Sequence, residues 1–297
     1  MTDEHAESKP ADGPPASADK AHYPPDSIAR IYNYGLGGKD HTQSERDVFD
    51  TLTKLDPGLP DSILAQREAV HRAAALMARL GVRQFLDLGS GLPAADGRNV
   101  YDTVAQTQPD ARVVYVDAAA TPAAHGRALL GRIPPTLMVQ GDVRECRKVL
   151  GEAFALLSPD EPVGVIATAL AHFWRDKMHA KWVLRSYLRA FRAGGYLAFS
   201  HACADMDPSV RQAMVHAYSR SGADMYPRTR ADIAYFLDGL TLLRPGLVEA
   251  STWRPDPDTP QRMVGEAKFL FAVAGFGRYG ITECPDDERH TLAEEPA

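Results

Sequence analysis

The residues with the clearest chemical potential lie at 85–93, which read Phe-Leu-Asp-Leu-Gly-Ser-Gly-Leu-Pro. The apolar run around Asp87 predicts a buried parallel strand, and Gly89 and Gly91 predict a tight turn directly after it. Such a turn lets backbone amides approach a ligand closely, as in sites for dinucleotides and other adenosine ligands. Because the Gly-x-Gly motif is short, an ordinary turn between a strand and a helix remains the alternative.

Pro93 separates this motif from the dinucleotide fingerprint. In Gly-x-Gly-x-x-Gly, the third glycine opens a helix whose N-terminal amides face a pyrophosphate. Here the glycines stop at Gly91, and Pro93 removes an amide donor. The next helix is predicted to begin at Asn99, with Asp102 in a capping-box position. A roomy loop with an acid before it and little phosphate-binding equipment favours a cationic adenosine ligand such as S-adenosylmethionine over NAD.

Two further acids follow predicted strands. An apolar strand at 112–117 ends at Asp117, and a third strand leads into Asp142 and Val143. Since ligands of open α/β sheets bind beyond the carboxyl ends of the strands, Asp117 is expected to accept both hydroxyls of a ribose. Asp142 is expected to accept the amino group of adenine while Val143 packs on the ring. The alternatives are a solvated Asp117 and an Asp142 that only caps the helix starting near Arg144.

Two histidines follow the next strands. His172 comes after the apolar and therefore central strand 163–168, and a fifth strand, 196–200, delivers His201 to the same edge. Each is a candidate catalytic residue, as a general base or a contact to the substrate. A packed, hydrogen-bonded structural histidine is the alternative for each.

The cysteines and the remaining acids predict no metal site. Cys146, Cys203 and Cys284 are far apart and lack the spacing of zinc ligands or of a disulfide framework. Asp205 and Asp207 are grouped too loosely with His201 to argue for metal binding.

These residues require a particular order of elements. Helices are predicted at 26–36, 43–54 and 61–80, and from residue 82 strands and helices alternate, as in a parallel sheet covered on both faces. The predicted α/β fold has five parallel strands, closed by an antiparallel pair at 240–243 and 268–274. The predicted organisation is a disordered tail at 1–25, an N-terminal helical cap at 26–81, a catalytic domain at 82–282 and an acidic tail at 283–297.

Composition narrows the class of protein. The 297 residues are 44% hydrophobic and 24% charged, with a formal net charge of -6, which is typical of a globular protein and gives no bulk attraction to nucleic acid. No apolar segment is long enough to span a bilayer, and the N-terminus has no signal-peptide pattern. We expect a cytoplasmic protein without nucleic-acid or membrane partners, and the oligomeric state stays open, a homodimer included.

Several stretches resemble the actinobacterial family of S-adenosylmethionine-dependent methyltransferases that carries the label domain of unknown function 574. The resemblance covers about 26–275. The stretches that carry it are Ser27-Ile-Ala-Arg-Ile-Tyr-Asn-Tyr34, Gly37-Gly-Lys-Asp40, Arg83 to Pro93, Asp110 to Asp117, Phe236-Leu-Asp-Gly-Leu240, Pro245-Gly-Leu-Val248 and Trp253-Arg-Pro255.

The resemblance implies a Rossmann-like class I methyltransferase sheet, S-adenosylmethionine as cofactor, and a small-molecule methyl acceptor of unknown identity. It also implies that the glycine-lysine-aspartate loop is a lid over cofactor or acceptor. The chain departs from the family pattern at Ala118 to Pro122, which follow the second-strand acid, and at the end of the last strand. The predicted cofactor contacts are Tyr34, Gly37, Lys39, Asp40, Asp87, Gly89, Ser90, Gly91, Leu92, Asp117, Ala118, Gly141, Asp142, Val143, Thr168 and Ala169.

Three functions compete at this stage. An active methyltransferase is favoured by the glycine motif, the two strand-end acids and the resemblance. A catalytically inactive protein that binds S-adenosylmethionine or a nucleoside as a regulator is the alternative, favoured by the departures at Ala118 to Ala120. An NAD-dependent oxidoreductase comes third, because Pro93 and the missing third glycine disfavour it.

Overall fold

The computed structural model describes residues 27–94, 96–131, 133, 135–257 and 259–280. The predicted tails at 1–25 and 283–297 lie outside these residues, as do Asp26 and Cys284. Among the described residues, no helix is both long enough and apolar enough to cross a membrane.

A mixed sheet of eight strands forms the centre of the described part of the chain, in the order β3-β2-β1-β4-β5-β8-β6, with β7 also paired to β8. Strands β1 to β5 are parallel and β8 is antiparallel to its neighbours, which confirms the predicted fold class. The sequence predicted seven strands and missed the two-residue β7. The strands are β1 (Gln84–Leu88), β2 (Arg112–Asp117), β3 (Thr136–Gln140), β4 (Val163–Ala167), β5 (Gly195–Ala202), β6 (Thr241–Leu242), β7 (Val248–Glu249) and β8 (Phe269–Phe276).

Helices cover both faces of this sheet. Most start where a capping residue predicts it: Asn99 and Asp102 form the expected capping box before α4. The helix α5 was not predicted, and its N-cap residue, Ala119, offers no side-chain cap. The helices are α1 (Ser27–Gly35), α2 (Gln43–Leu55), α3 (Leu59–Arg79), α4 (Val100–Val104), α5 (Ala120–Leu129), α6 (Cys146–Ala153), α7 (Lys177–Ala190), α8 (Pro208–Arg220) and α9 (Arg230–Leu237).

Side chains on successive strand positions enter two separate cores. Phe85 and Val113 pack under α1 to α4, whereas Leu86 and Val114, one residue further on, pack under α6, α7 and α9. All four are fully buried, and burial of each such side chain contributes about 1.5–3 kcal/mol. The alternation fixes the register of the strands, and with it the strand ends that carry the predicted site residues.

The N-terminal helices pack on one another and, through α3, on the sheet. Helix α3 packs on β4, β5 and β8, and α1 is tied to α5 by a hydrogen bond of 3.1 Å from Arg30 to the Thr121 hydroxyl. The boundary between a cap and a catalytic domain at residues 81 and 82 stays a prediction.

Candidate functional site

A cavity of about 280 Å³ lies at the carboxyl edge of β1 to β4, where ligands of open α/β sheets bind. Its walls bring together most of the predicted site residues, from four consecutive strand ends. Those that line it are Asp87, Gly89, Ser90, Gly91, Leu92, Asp117, Ala118, Gly141, Asp142, Val143, Thr168, Ala169 and His172.

The glycine loop is built against β2. Gly89 and Gly91 have φ values of 72° and 68°, and a Cβ on Gly89 would lie 2.8 Å from the Leu170 side chain. The amides of Gly89 and Ser90 donate to the Val116 carbonyl, at 2.8 and 3.0 Å, and the Gly91 amide donates to the Asp117 carboxylate. Since these three amides are used inside the protein, this loop is a poor pyrophosphate cradle.

Asp117 is held rigidly beside this loop. Its Oδ2 accepts the Gly91 amide at 2.8 Å, and its Oδ1 accepts the Ala119 amide at 2.9 Å. The side chain is half-buried and lines the cavity. Because each carboxylate oxygen has a second lone pair, Asp117 can accept ligand hydroxyls while keeping its backbone bonds.

Asp87 and Arg67 are an ionisable acid and a basic side chain that both line the cavity. Asp87 is 6% exposed, and its carboxyl group has a pKa raised to about 7. Burial is the main cause of the raised pKa; Arg67 lowers the pKa and Asp117 raises it. Arg67 lies on α3 and donates to the Arg98 carbonyl at 3.4 Å. Sequence reasoning missed Arg67, because a single arginine on a helix gives no signal of the cavity it faces.

The Asp142 carboxylate is bonded to Arg144, two residues further along the chain. Its carboxylate accepts the Arg144 backbone amide at 2.8 Å and the Arg144 guanidinium at 2.8 to 3.1 Å. Helix α6 begins only at Cys146, with Glu145 as its N-cap residue. Asp142 therefore does not cap this helix, and both it and the buried Val143 face the cavity.

His172 lines the cavity as a neutral ring. The Ala202 amide donates to its Nδ1 at 3.3 Å, so the neutral form carries its proton on Nε2. Burial holds the pKa of His172 well below its ordinary value, and His201 and Arg228 lower it further. His172 is thus a hydrogen-bond donor at Nε2, and its geometry argues against the general-base role predicted for it.

His201 is fully buried and does not line the cavity. Its Nδ1 donates to the Ala202 carbonyl at 2.8 Å, and its Nε2 accepts from Arg228 at 2.8 Å. Burial lowers its pKa to about 3. Arg228 also donates to the carbonyls of Ala171, Trp174 and Arg175, so this pair anchors the segment that carries His172. This placement argues against a catalytic role for His201.

The predicted lid residues lie away from the cavity. The Tyr34 ring packs on His41 and Phe49, while Asp40 pairs with His125 on α5 at 3.8 Å. None of the four residues, Tyr34, Gly37, Lys39 and Asp40, lines the cavity.

Other residues in and just after α1 take that place. Tyr32 and Asn33 on α1 line the cavity, as does Leu36, which follows the helix. The Tyr32 hydroxyl bonds to Gln66, whose amide donates to the Ser200 hydroxyl at 3.1 Å. Ser200 in turn accepts the Ala169 amide at 2.9 Å. This chain of bonds joins α1, α3 and β5 to the strand end at Ala169, where the backbone has a φ of 51°.

The cavity has two differently built sides. The carboxylate side comprises Arg67, Asp87, Gly89 to Gly91, Asp117 and Asp142. The aromatic side comprises His172, Phe173, Met214, Tyr218, Met225 and Phe269. Of the aromatic side, the sequence predicted only His172.

Comparison with known proteins identifies the family of this chain. Residues 16–279 match the family model described as S-adenosyl methyltransferase. The chain belongs to this family. The resemblance to the domain-of-unknown-function family 574 is also confirmed, and a comparison with curated proteins gives no match.

Two solved structures are similar over most of their length. One is a protein of family 574 from Streptomyces avermitilis, 32% identical, covering 84% of this chain and 97% of that one with a TM-score of 0.79. The other is a candidate methyltransferase from Thermobifida fusca, 29% identical, covering 86% of this chain and 95% of that one with a TM-score of 0.77.

The cofactor of this S-adenosylmethionine-dependent methyltransferase is S-adenosylmethionine, and the cavity fits it. Among the described residues, the Ser90 hydroxyl is buried without a hydrogen-bond partner beside the glycine loop, so a polar ligand group can bind there. Asp87 and Asp117 suit a cationic ligand with a ribose. Within the same residues, no three His, Cys, Asp or Glu side chains cluster as metal ligands would.

Proposed function

We propose that this protein transfers a methyl group from S-adenosylmethionine to a small-molecule acceptor. The observation that supports it is one cavity with a charged side, suited to the zwitterionic cofactor, next to an aromatic side without formal charge. A cavity of this size and composition is typical of small-molecule sites.

We infer the direction of the bound cofactor from the order of the strands. Adenine lies over β3 at Asp142 and Val143, and the ribose lies over β2 at Asp117. The methionine part then extends over β1, where Asp87 faces its ammonium group and Arg67 its carboxylate. The sulfur joins the ribose to the methionine chain and so lies over β1, next to β4, the strand that leads into the aromatic side.

The bound cofactor supplies a methyl group on a positively charged sulfur. A lone pair on the acceptor forms the new bond to the methyl carbon while the carbon–sulfur bond breaks and its electron pair stays on sulfur. The residues of the cavity align the two molecules, which is the main requirement of an in-line displacement. His172 donates from Nε2 to the acceptor, and any proton that the acceptor loses passes to water.

A labelling experiment tests this function. The protein is incubated with methyl-labelled S-adenosylmethionine and a cell extract separated into low-molecular-mass and macromolecular fractions. We expect label in the low-molecular-mass fraction, and less of it with the Asp117→Ala variant when S-adenosylmethionine is below saturation. Label confined to the macromolecules would contradict a small-molecule acceptor, and no transfer to either fraction would favour an inactive cofactor-binding protein.

A further inference from the structure

The aromatic side of the cavity indicates the class of acceptor, and this inference rests on the proposed function. Its residues come from the segment after β4, from α8, from the loop before α9 and from the start of β8. His172, Met214, Met225 and Phe269 are buried, and Phe173 and Tyr218 are half-buried. Such a wall stabilises a ligand mainly by removing apolar surface from water.

The rings are arranged to receive another ring. His172 meets Phe173 edge to face, with 4.4 Å between centroids and 62° between planes. Phe173 meets Tyr218 at 5.9 Å and 55°, and His172 meets Phe269 at 6.1 Å and 49°. Tilted rings present both faces and edges to the space between them, and Met214 and Met225 line the same space with thioether sulfurs, a group that interacts favourably with aromatic rings.

The six residues of this side carry no formal charge at neutral pH. Burial lowers the pKa of His172 and raises that of Tyr218 to about 12, so both are neutral. The nearest buried cation, Arg228, donates to backbone carbonyls and to His201 instead of facing the cavity. A charged acceptor would lose its hydration here without a charged partner among these six residues, and the cofactor occupies Arg67 and Asp87 in the proposed binding mode.

The hydrogen-bond donors of this side are His172 and Tyr218. His172 carries its proton on Nε2, because its Nδ1 accepts the Ala202 amide. Burial raises the pKa of Tyr32 and Arg67 lowers it, while Tyr218 and Asp87 raise it further. Tyr32 thus feels charged residues of one side and a ring of the other, and it lines the same cavity. Tyr32 therefore lies where the two sides of the cavity meet, and an acceptor atom bound there is next to the methyl donor.

We propose that the methyl acceptor is an uncharged aromatic small molecule. Its ring packs among Phe173, Tyr218 and the two methionines, and a heteroatom with a free lone pair accepts a hydrogen bond from His172 Nε2. Saturated rings, aromatic carboxylates and aromatic amines that are protonated are poor ligands of this side.

The test uses three matched probes on the full chain saturated with S-adenosylhomocysteine: naphthol, naphthoate and the saturated decahydronaphthol. Binding is measured by ligand-observed NMR titration. We expect naphthol to bind at least about tenfold more tightly than naphthoate, because the carboxylate loses its hydration. We expect roughly two- to tenfold tighter binding than for decahydronaphthol, because the rings interact.

Variants locate the probe. Tyr218→Leu removes a ring and a hydroxyl from the cavity wall and is expected to weaken naphthol binding roughly fivefold. His216→Leu, on the exposed face of the same helix, is expected to leave it unchanged. Calorimetry with S-adenosylhomocysteine checks that both variants keep the folded cofactor site.

The outcomes separate this inference from the proposed function. If the protein does not bind S-adenosylhomocysteine, the proposed function itself fails. If it does bind, three results would overturn the aromatic acceptor: equal affinity for naphthol and naphthoate, equal affinity for the saturated probe, or binding of none of the three.

Discussion

The two sides of the cavity differ in charge and in the parts of the chain that build them. The carboxylate side is made mainly by loops that directly follow β1, β2 and β3, and backbone amides hold its central acid, Asp117. The aromatic side is made by side chains that lie as far apart in sequence as His172 and Phe269. In the proposed function, cofactor recognition therefore depends on the fold itself, whereas acceptor recognition depends on side chains that can change without disturbing the fold.

The largest predicted effect concerns Asp87. Its folded pKa of about 7 lies above its ordinary value of 3.8, so folding favours the protonated form. The corresponding stability is complete below the unfolded pKa and is lost as the pH rises through 7. Asp87→Asn, which cannot ionise, should be more stable than the wild type by about 3–4 kcal/mol at about pH 8, and the difference should shrink toward about pH 4. Urea unfolding of the ligand-free proteins measures it.

The same substitution should weaken cofactor binding, because the proposed binding mode places the carboxylate against the ammonium group. Wild-type affinity for S-adenosylmethionine should rise between about pH 6 and about pH 8 as Asp87 ionises, and the variant should lose this dependence. Parallel stability profiles and identical affinities for the two proteins would show that Asp87 does not carry the charge of this side.

A smaller effect is expected from Asp117→Ala. Loss of the ribose contacts should weaken binding of S-adenosylhomocysteine by about 1–3 kcal/mol in calorimetric titrations. Methylthioadenosine, which keeps the ribose and lacks the amino acid, should lose the same amount. Asp110→Ala is the matched control, because Asp110 is an exposed acid near the other end of β2, paired with Arg83 at 3.7 Å. An unchanged affinity in Asp117→Ala would remove the ribose assignment.

The smallest effect is expected from Arg67→Met. Arg67 is half-buried, so loss of its proposed hydrogen bond to the methionine carboxylate should weaken S-adenosylhomocysteine binding by about 1 kcal/mol. Binding of methylthioadenosine should not change, because that ligand has no carboxylate. Arg79→Met, at the exposed end of the same helix, provides the control. Equal losses of affinity for the two ligands would show that Arg67 does not contact the methionine carboxylate.

Most of the carboxylate side could be predicted because local sequence dictates it, and Arg67 on α3 is the exception. An apolar strand, a glycine turn and a strand-end acid each have a short signature, and parallel strands bring their carboxyl ends to one edge. The expected approach of Asp117 to the glycine loop is seen in its bond to Gly91. Pro93 correctly indicated the late start of α4 at Val100.

The aromatic side could not be predicted, because its residues meet only in the folded chain. Tyr218 and Met214 look like ordinary apolar positions of α8, and nothing local distinguishes Tyr32 from Tyr34 on α1. His201 shows a different limit. Strand β5 continues to Ala202, two residues past its predicted end, so this histidine lies within the strand and packs against Phe236 instead of standing at the cavity.

Calorimetric titration of the wild-type chain with S-adenosylmethionine, S-adenosylhomocysteine and NAD as separate ligands tests whether the cavity is a site for S-adenosylmethionine. We predict saturable binding of the first two ligands at one site per chain. We predict no measurable binding of NAD, since the amides of the glycine loop are already used by β2. Binding of NAD with an affinity equal to or above that of S-adenosylmethionine, or binding of none of the three, would contradict these predictions.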